Sequence, residues 1–200
     1  MSRIAPVTAP NIDNHVAATL SQIKASLGKI PNTFAILGNA SVALDGYLSL
    51  SKTLSRGRLS ARQREILALS IAQENECQYC LSAHTELAKA VGLNAAEALK
   101  ARAGNTDDPF ERALTSFAKG IVRERGLVSD HELEMARKAG IDDSLMLEIV
   151  ANVALHTLTN YANRLADTEI DSPVVTVRVE SGFTGKSKTD ALTYDERTTA

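Results

Sequence analysis

The sequence of 200 residues contains no tryptophan, only two cysteines and five prolines, and its formal net charge is −2. It has only four tyrosines and four phenylalanines, which argues against an all-β fold, because strands are rich in aromatic side chains. Two cysteines are too few for a small scaffold built on disulfides. The near-neutral charge gives no general attraction to nucleic acid or anionic lipid, and no segment approaches the roughly 20 apolar residues of a membrane span. We therefore expect no nucleic-acid partner and no membrane partner.

The N-terminus, residues 1–11, lacks the apolar core of roughly 7–15 residues that a secretory signal peptide has. We therefore expect a cytoplasmic protein. Because thiols are kept reduced in the cytoplasm, a purely structural disulfide is not expected there. The two cysteines, Cys77 and Cys80, stand three positions apart, a spacing typical of redox or metal chemistry.

Alanine and leucine are abundant, with 29 and 23 residues, and both are strong helix formers. Apolar side chains recur at helical spacing, and polar caps and glycines mark where helices begin and end. The fold class that we predict is all-α, a helical bundle. Its eight or nine helices are predicted over about 13–27, 31–37, 41–57, 60–73, 77–91, 94–101, 110–125, 129–139 and 144–167. Asn39 or Ser41 is the expected cap of the third helix, and Asn75 is the expected cap of the fifth. Residues 1–170 are predicted to form this helical domain.

A change of composition beyond Ile170 predicts a second region, residues 171–200. The run VVTVRV, residues 174–179, alternates as a β-strand does. Because a single strand has no partner in a helical domain, we expect an extended C-terminal arm that lies on the helical body or on a neighbouring subunit. The last twenty residues are polar, and we expect them to be mobile.

Both cysteines lie near the start of a predicted helix and share one helical face with His84. An i, i+3 pair in a helix has its Cα atoms about 5 Å apart, inside the range that a disulfide spans. His84 is one turn beyond Cys80 and can accept the thiol proton, so Cys80 is predicted to be the attacking thiol. The helix dipole alone favours Cys77, which is nearer the helix start.

Glu65 lies on the preceding predicted helix, with Ala61, Ala68, Leu69 and Ala72 as its neighbours on the helical wheel. Burial on such a face raises the pKa of a carboxyl into the range that suits proton transfer near neutral pH. Glu65 is therefore a candidate acid/base behind the thiols. The alternative is a glutamate near a helix N-terminus, where the dipole alone favours it, and the sequence does not decide between the two.

Two alternatives to redox chemistry stay open for the cysteine pair. Cys77, Cys80 and His84 could supply three ligands to zinc, with Glu65 as a fourth. Structural zinc sites usually draw their ligand pairs from loops, however, and the sequence has no second CxxC and no HxxxH. The pair could also be two core cysteines beside a packed histidine. Tyr79 is expected to point away from this face and to act in packing.

The pattern E-x11-C-x2-C-x3-H is formed by Glu65, Cys77, Cys80 and His84. It resembles the pattern of the alkylhydroperoxidase D branch of the carboxymuconolactone decarboxylase family. The resemblance implies a homo-oligomeric helical fold, commonly trimeric or hexameric, and thiol-dependent reduction of peroxides or disulfides. It also implies that Cys80 attacks the peroxide and that Cys77 resolves the sulfenic acid into a disulfide. It further implies that Glu65 and His84 relay protons, within an alkylhydroperoxidase D-like helical bundle.

Two further segments, IPNTF at residues 30–34 and NYANRLADTEID at residues 160–171, resemble the peroxidase-related members of the family. The likeness covers about residues 15–180. The chain departs from well-studied members at Tyr79, where they carry a histidine between the cysteines. The decarboxylase branch lacks the paired thiols, so the family's name is a poor guide to this chain.

The leading functional hypothesis is an antioxidant oxidoreductase, a thiol-dependent peroxidase of peroxiredoxin type that reduces hydroperoxides through a dithiol/disulfide cycle. The expected partners are a hydroperoxide, an external dithiol or protein reductant, and further copies of the chain as a trimer or hexamer. In this hypothesis no cofactor and no metal takes part. One alternative is a disulfide-reducing adaptor for a separate peroxiredoxin. Another is a non-catalytic, oligomeric protein that binds a metal or a small apolar ligand.

Overall fold

The computed structural model describes residues 2–8 and 12–178. Within these residues the protein is all-α, as predicted, with nine helices and no β-strand. The helices are α1 Asn14–Leu27, α2 Asn32–Leu37, α3 Ser41–Leu54, α4 Ala61–Glu74, α5 Gln78–Ala90, α6 Ala95–Ala103, α7 Pro109–Arg123, α8 Asp130–Lys138 and α9 Asp143–Ala166. In this part of the chain, every helix is too short or too polar to cross a membrane.

Reciprocal capping boxes begin three of the helices. Ser60, Asn94 and Ser129 each accept a hydrogen bond from the backbone N–H three residues later. The side chain at that third position bonds back to the backbone of the capping residue. Such a cap stabilises a helix by about 1 kcal/mol, and it accounts for the predicted starts of α4, α6 and α8.

The start of α3 is not capped as predicted. Ala40 precedes this helix and offers no side-chain hydrogen bond, so neither Asn39 nor Ser41 acts as the cap. The Asn39 amide instead donates to the backbone oxygens of Ala5 and Ile36, at 3.0 Å each. The side chain expected at a helix start therefore fastens the N-terminal segment to the end of α2.

Helix α4 lies at the centre of the fold and packs against α5, α6, α7 and α9. Its residues from Ile66 to Ala72 are all buried, as expected for a helix enclosed on every side. On one side Leu67 and Ile71 join the main apolar core with α7 and α9. On another side Ile66 and Leu69 pack with α5 and α6. A polar side chain carried by α4 therefore enters the interior, where it needs a partner.

Residues 171–178 cross the helical body without forming a helix or a strand. Val175 and Val177 pack against a buried cluster that we call the cysteine cluster, whereas residues 174, 176 and 178 are exposed. The members of the cysteine cluster are Ala72, Cys77, Tyr79, Cys80 and Leu81. The fold thus has an arm that lies on its own body, as predicted. The domain boundary at residue 171 stays a prediction, and Val179 and the last twenty residues lie outside the described residues.

The arm is held through its backbone as well as through the two valines. Gln73 donates to the carbonyl of Val177 at 2.9 Å, and Ser82 Oγ accepts from the N–H of Val175 at 3.1 Å. The Arg102 guanidinium donates to the carbonyls of Thr176 and Val177. Burial disfavours the charged form of Arg102 and so lowers its pKa. The two carbonyl oxygens of the arm stabilise this partly buried charge by accepting its hydrogen bonds.

Candidate active site

The turn between α4 and α5 sets the position of Cys77. α4 ends with Glu76 in the left-handed region, at φ 51°. The N–H groups of Glu76 and Cys77 donate to carbonyls in the last turn of α4, a Schellman ending that usually has glycine at the left-handed position. Asn75 therefore closes α4 instead of capping α5, contrary to the prediction, and Cys77 is the N-cap residue of α5.

Cys77 and Cys80 are joined by a disulfide, with their Cα atoms 5.3 Å apart. The backbone N–H of Cys80 lies 3.3 Å from the sulfur of Cys77. The Cys77 sulfur therefore takes the place that a serine or aspartate oxygen has at other helix starts. When the pair is reduced, this N–H and the positive end of α5 both stabilise a thiolate at Cys77.

The two sulfurs have different surroundings, although both residues are buried, at 1% and 3% exposure. Cys80 lines a cavity of about 480 Å³. Cys77 is not among the described residues of its wall, and the cysteine cluster to which it belongs is covered by Val175 and Val177 of the arm. A small molecule that enters the cavity therefore meets Cys80 first.

Most of the exposed surface of the cavity wall is apolar, although polar residues also line it, among them Thr33, Tyr47, Tyr79, Glu86, Thr159 and Ser172. The apolar side chains are Leu27, Pro31, Phe34, Ala83, Leu87, Ala90 and Pro173. Lys29 and Asp171, which form an ion pair at 3.2 Å, also line it. Near Cys80 the polar residues are His84 and Asn163. This arrangement suits a small organic molecule with one polar end.

Glu65 and His84 are in direct contact, with Oε2 and Nδ1 2.8 Å apart. Their side chains are only 20% and 16% exposed. Since His84 also lines the cavity that Cys80 faces, the pair can pass a proton between the cavity and the interior. The structure thus brings Glu65, Cys77, Cys80 and His84 together, and their chemical roles stay predictions.

His156 of α9 packs against His84, with the ring centroids 5.2 Å apart and the planes nearly perpendicular. Burial, together with the charge on His84, lowers the pKa of His156 to about 3. His156 is therefore neutral at neutral pH and adds no positive charge behind His84. Tyr47 also lines the cavity. Burial and the charge of Glu65 raise the pKa of Tyr47, so its hydroxyl stays protonated.

Replacing His156 with leucine is expected to flatten the acid side of the pH–stability curve. The pKa of His156 is about 3 in the folded protein, against 6.5 in the unfolded chain. Below pH 6.5 the unfolded chain therefore binds this proton more readily, and the free energy of unfolding falls by on the order of 1 kcal/mol per pH unit. Urea unfolding of both proteins between about pH 7 and pH 4 measures the difference. Parallel curves would contradict a buried neutral ring.

Cys80 has a further neighbour in α9. The side-chain amide of Asn163 donates to the Cys80 sulfur at 3.4 Å, and Asn163 is only 3% exposed. Asn163 also lines the cavity, and its Oδ1 has no hydrogen-bond partner among the described residues. Its amide therefore donates to the sulfur and keeps a buried acceptor without a donor among the described residues.

Tyr79 packs, as expected, but it does not point away from the cysteines. It belongs to the cysteine cluster and lines the cavity, and its hydroxyl accepts from the backbone N–H of Thr33 at 3.1 Å. Burial, with a smaller contribution from the Asp171 charge, raises the pKa of Tyr79. The residue between the cysteines is therefore a neutral phenol in this chain.

Comparison with known proteins supports the predicted family resemblance. Residues 42–119 match the model of the Carboxymuconolactone decarboxylase family, and this segment contains all four residues of the motif. The predicted family resemblance is confirmed. Over 112 residues, or 54% of its length, the chain is 27% identical to an alkyl hydroperoxide reductase of Mycobacterium tuberculosis. That match spans only 33% of the relative's length.

Solved structures show the same fold. The alkylhydroperoxidase AhpD core of a peroxidase-related protein from Ralstonia eutropha matches with a TM-score of 0.77 at 20% identity, over 85% of this chain and 92% of that one. A peroxidase-related protein from Silicibacter sp. matches with a TM-score of 0.70 at 17% identity, over 84% of this chain and 92% of that one. The debrominase Bmp8, in complex with 2,3,4-tribromopyrrole, matches with a TM-score of 0.70 at 16% identity, over 86% of this chain and 92% of that one. At such identities the likeness shows the AhpD-like fold alone.

The geometry of the cysteine pair also bears on the zinc alternative. Within residues 2–8 and 12–178, no group of three His, Cys, Asp or Glu side chains is arranged to hold a metal ion. The sulfurs of Cys77 and Cys80 are bonded to each other, whereas zinc binds thiolates. The geometry therefore gives the zinc alternative no support.

Two residues of the site, His156 and Asn163, were not identified from the sequence. In the sequence, residues 160–171 carry only a likeness to peroxidase-related members. The available signal was a histidine and asparagines at helical spacing among the apolar residues of one face of α9, since buried polar side chains require partners. That signal places them in the interior but does not name Cys80 or His84 as their neighbours.

Proposed function

We propose that the protein is a thiol-dependent peroxidase that reduces organic hydroperoxides with the Cys77–Cys80 pair. The observation that carries the proposal is the position of Cys80, which is bonded to Cys77 and faces a cavity whose wall also holds His84. The contact between His84 and Glu65 supports a proton path at the same place. Relatives named as alkyl hydroperoxide reductase and peroxidase-related protein support the same class of reaction.

In the first step the reduced Cys80 gives its proton to His84 and attacks the outer oxygen of the hydroperoxide. The S–O bond forms while the O–O bond breaks, so the sulfur is oxidised to a sulfenic acid and the peroxide is reduced. The leaving alkoxide takes the proton from His84 and departs as an alcohol. Glu65, at 2.8 Å from His84, stabilises the imidazolium that exists between these two transfers.

In the second step the Cys77 thiol attacks the sulfenic acid of Cys80. The S–S bond forms, the S–O bond breaks, and the hydroxyl leaves as water with the thiol proton. An external dithiol then reduces the disulfide and is itself oxidised to a disulfide. We place this cycle in the cytoplasm, where thiol reductants restore such pairs.

The cavity favours a hydroperoxide that carries an apolar organic group. Phe34, Leu87 and Leu27 line it, and its volume of about 480 Å³ lies in the range of small-molecule sites. Burial of the organic group against these side chains contributes on the order of 25 cal/mol per Å² of apolar surface. Hydrogen peroxide lacks such a group and is expected to be a poorer substrate.

Intact-mass measurement before and after a short peroxide pulse tests the proposal. The reduced protein is expected to lose the mass of two hydrogen atoms as the disulfide forms, and to regain it with dithiothreitol. One equivalent of alcohol should appear for each disulfide formed. A protein that gains no disulfide, or that accumulates oxygen atoms instead, contradicts the proposed cycle.

The adaptor alternative uses the same cysteine pair on another substrate. An adaptor transfers electrons to the disulfide of a peroxiredoxin, so it should reduce a protein disulfide faster than a hydroperoxide. Steady-state assays with both substrates distinguish the two activities. Cys80 is only 3% exposed and lies at a cavity, which favours a small hydroperoxide over the disulfide of a folded protein.

We also propose that the protein forms a homo-oligomer, a trimer or hexamer, as the family resemblance implies. Helix α9 presents one stripe of exposed apolar side chains at helical spacing, Leu147, Val150, Leu158, Tyr161 and Leu165. Such a stripe on a helix surface is typical of an interface.

Changing Leu158 to glutamate is expected to convert the oligomer to monomers, because the interface would bury an unpaired charge. Light scattering measures the mass of both proteins in solution. Leu127→Glu is the matched control, since Leu127 is 85% exposed and lies outside the stripe. A wild-type protein that is monomeric contradicts the proposal.

A further inference from the structure

We propose that Asn163 is a positioning residue that holds the Cys80 thiolate with one end of its amide and the hydroperoxide with the other. The inference rests on the proposed peroxidase function. The Nδ2 group lies 3.4 Å from the Cys80 sulfur. The Oδ1 atom is buried without a partner among the described residues, in a side chain that lines the cavity.

The unused acceptor of Asn163 points to a ligand because this side chain lines the cavity, whereas that of Asn152 does not. A buried amide oxygen without a donor is costly, and folded proteins keep few of them. Asn163 lines the cavity together with Cys80, and a molecule bound there is the donor that we assign to Oδ1. A molecule bound next to that sulfur and carrying an O–H or N–H group would satisfy Oδ1.

A hydroperoxide meets both requirements. Its outer oxygen carries the hydrogen that can donate to Oδ1, and the same oxygen is the atom that the thiolate attacks. Because Oδ1 and Nδ2 are attached to one carbon, an O–H bound to Oδ1 brings its oxygen to the Cys80 sulfur. During the reaction this hydrogen stays on the outer oxygen, which becomes the hydroxyl of the sulfenic acid, while the O–O bond breaks toward the alkoxide.

The two ends of the amide have separable effects. Donation from Nδ2 stabilises the thiolate and so lowers the pH at which Cys80 becomes reactive toward any electrophile. Acceptance by Oδ1 accelerates only electrophiles that carry a hydrogen-bond donor. Iodoacetamide alkylates thiolates without needing an O–H group, so comparison with cumene hydroperoxide separates the two effects.

The experiment uses the reduced protein with Cys77→Ser, so that Cys80 is its one remaining thiol. Rates with iodoacetamide and with cumene hydroperoxide are measured against pH for this protein and for its Asn163→Ala and Asn163→Asp derivatives. We expect both substitutions to raise the midpoint of the alkylation profile, by about one pH unit for alanine and more for the negatively charged aspartate. At pH values above the midpoint, alkylation should recover, whereas oxidation by cumene hydroperoxide should stay about tenfold slower in Asn163→Ala.

Asn152→Ala is the matched control. Asn152 lies on the same helix, is 1% exposed and also has an unpartnered Oδ1, but it is not among the residues that line the cavity. Its substitution removes a similarly buried amide. It should change neither the midpoint of the alkylation profile nor the ratio of the rates with iodoacetamide and cumene hydroperoxide. An Asn163→Ala protein with an unshifted midpoint, or with equal losses toward both electrophiles above it, would overturn the inference.

Failure of the underlying function looks different. If Cys80 is alkylated normally but does not react with cumene hydroperoxide in the protein with Asn163 intact, the peroxidase proposal is wrong. The orienting role of Oδ1 is then overturned with it. The alkylation midpoint still tests the contact between Nδ2 and the thiolate, because that measurement involves no peroxide.

Discussion

Replacing Cys80 with serine is expected to abolish the reduction of hydroperoxides. A serine hydroxyl is not ionised near neutral pH and is a far weaker nucleophile than a thiolate. With cumene hydroperoxide as substrate and dithiothreitol as reductant, kcat/KM should fall about 10³-fold or more, as for other enzymes that lose their nucleophile. An assay of peroxide consumption measures the change. A Cys80→Ser protein that keeps a substantial part of the activity excludes Cys80 as the thiol that attacks the peroxide.

Cys77→Ser is the matched comparison, because a serine at this position can also cap α5. This protein should react with one equivalent of peroxide and stop, since no second thiol is present to release water from the sulfenic acid. Dimedone, which labels sulfenic acids, should then mark Cys80. Labelling of Cys77 in the Cys80→Ser protein would instead show that Cys77 is the thiol that attacks the peroxide.

The second large effect is expected at His84. Its ring lines the cavity beside Cys80 and is held by Glu65 at 2.8 Å, so it is placed to take the thiol proton and return it to the alkoxide. Loss of a general acid/base typically costs 10²–10⁴-fold, and we expect His84→Gln to lower kcat/KM by about 10²-fold or more. Glu65→Gln removes the charge that stabilises the imidazolium and should act in the same direction. The pH profile of kcat/KM should lose one of its two limbs in His84→Gln.

A control for these substitutions lies on the surface. His15 and Asp45 form the same kind of contact, also at 2.8 Å, but both side chains are largely exposed. Because that pair is not among the residues that line the cavity, His15→Gln should leave kcat/KM unchanged. The double substitution of Glu65 and His84 should cost less than the product of the single losses, since the two groups act as a unit. Full activity in His84→Gln would remove the proton relay from the mechanism.

The helices were predictable wherever the signal is local. The caps at Ser60, Asn94 and Ser129 act within three residues, so the sequence contains the whole interaction. The junction before α5 was not predictable in the same way. Its left-handed residue is Glu76 instead of the usual glycine, so the Schellman ending has no sequence signature, and the start of α5 was assigned to Asn75.

The same distinction divides the site. Cys77, Cys80 and His84 lie within one turn-and-helix segment, and their proximity follows from spacing. Asn163 contacts Cys80 across 83 residues of sequence, and only the packing of α9 against α4 and α5 brings the two together. No periodicity within α9 identifies which part of α5 it meets.

Tyr79 shows where a helical wheel misleads. The wheel assumes that every residue from Cys77 onward follows helical geometry, and it therefore turns Tyr79 away from the cysteines. Cys77 is the N-cap residue, with extended backbone angles of φ −86° and ψ 94°. Its direction is consequently not the one that the wheel assigns, and Tyr79 packs into the cysteine cluster.

The length of the arm, and not only its composition, determines which side chains cover the cysteine cluster. Lys29 and the backbone of Asn32 hold Asp171 in place, and side chains alternate beyond it so that Val175 and Val177 turn inward. Deleting one residue between Asp171 and Val175 would exchange the inward and outward faces of the arm. Thr176 and Arg178 would then take the places of Val175 and Val177. The guanidinium of Arg178 would be buried against the apolar cysteine cluster, which is unfavourable for a charged group. Tolerance of length changes in this short stretch should therefore be lower than its irregular backbone suggests.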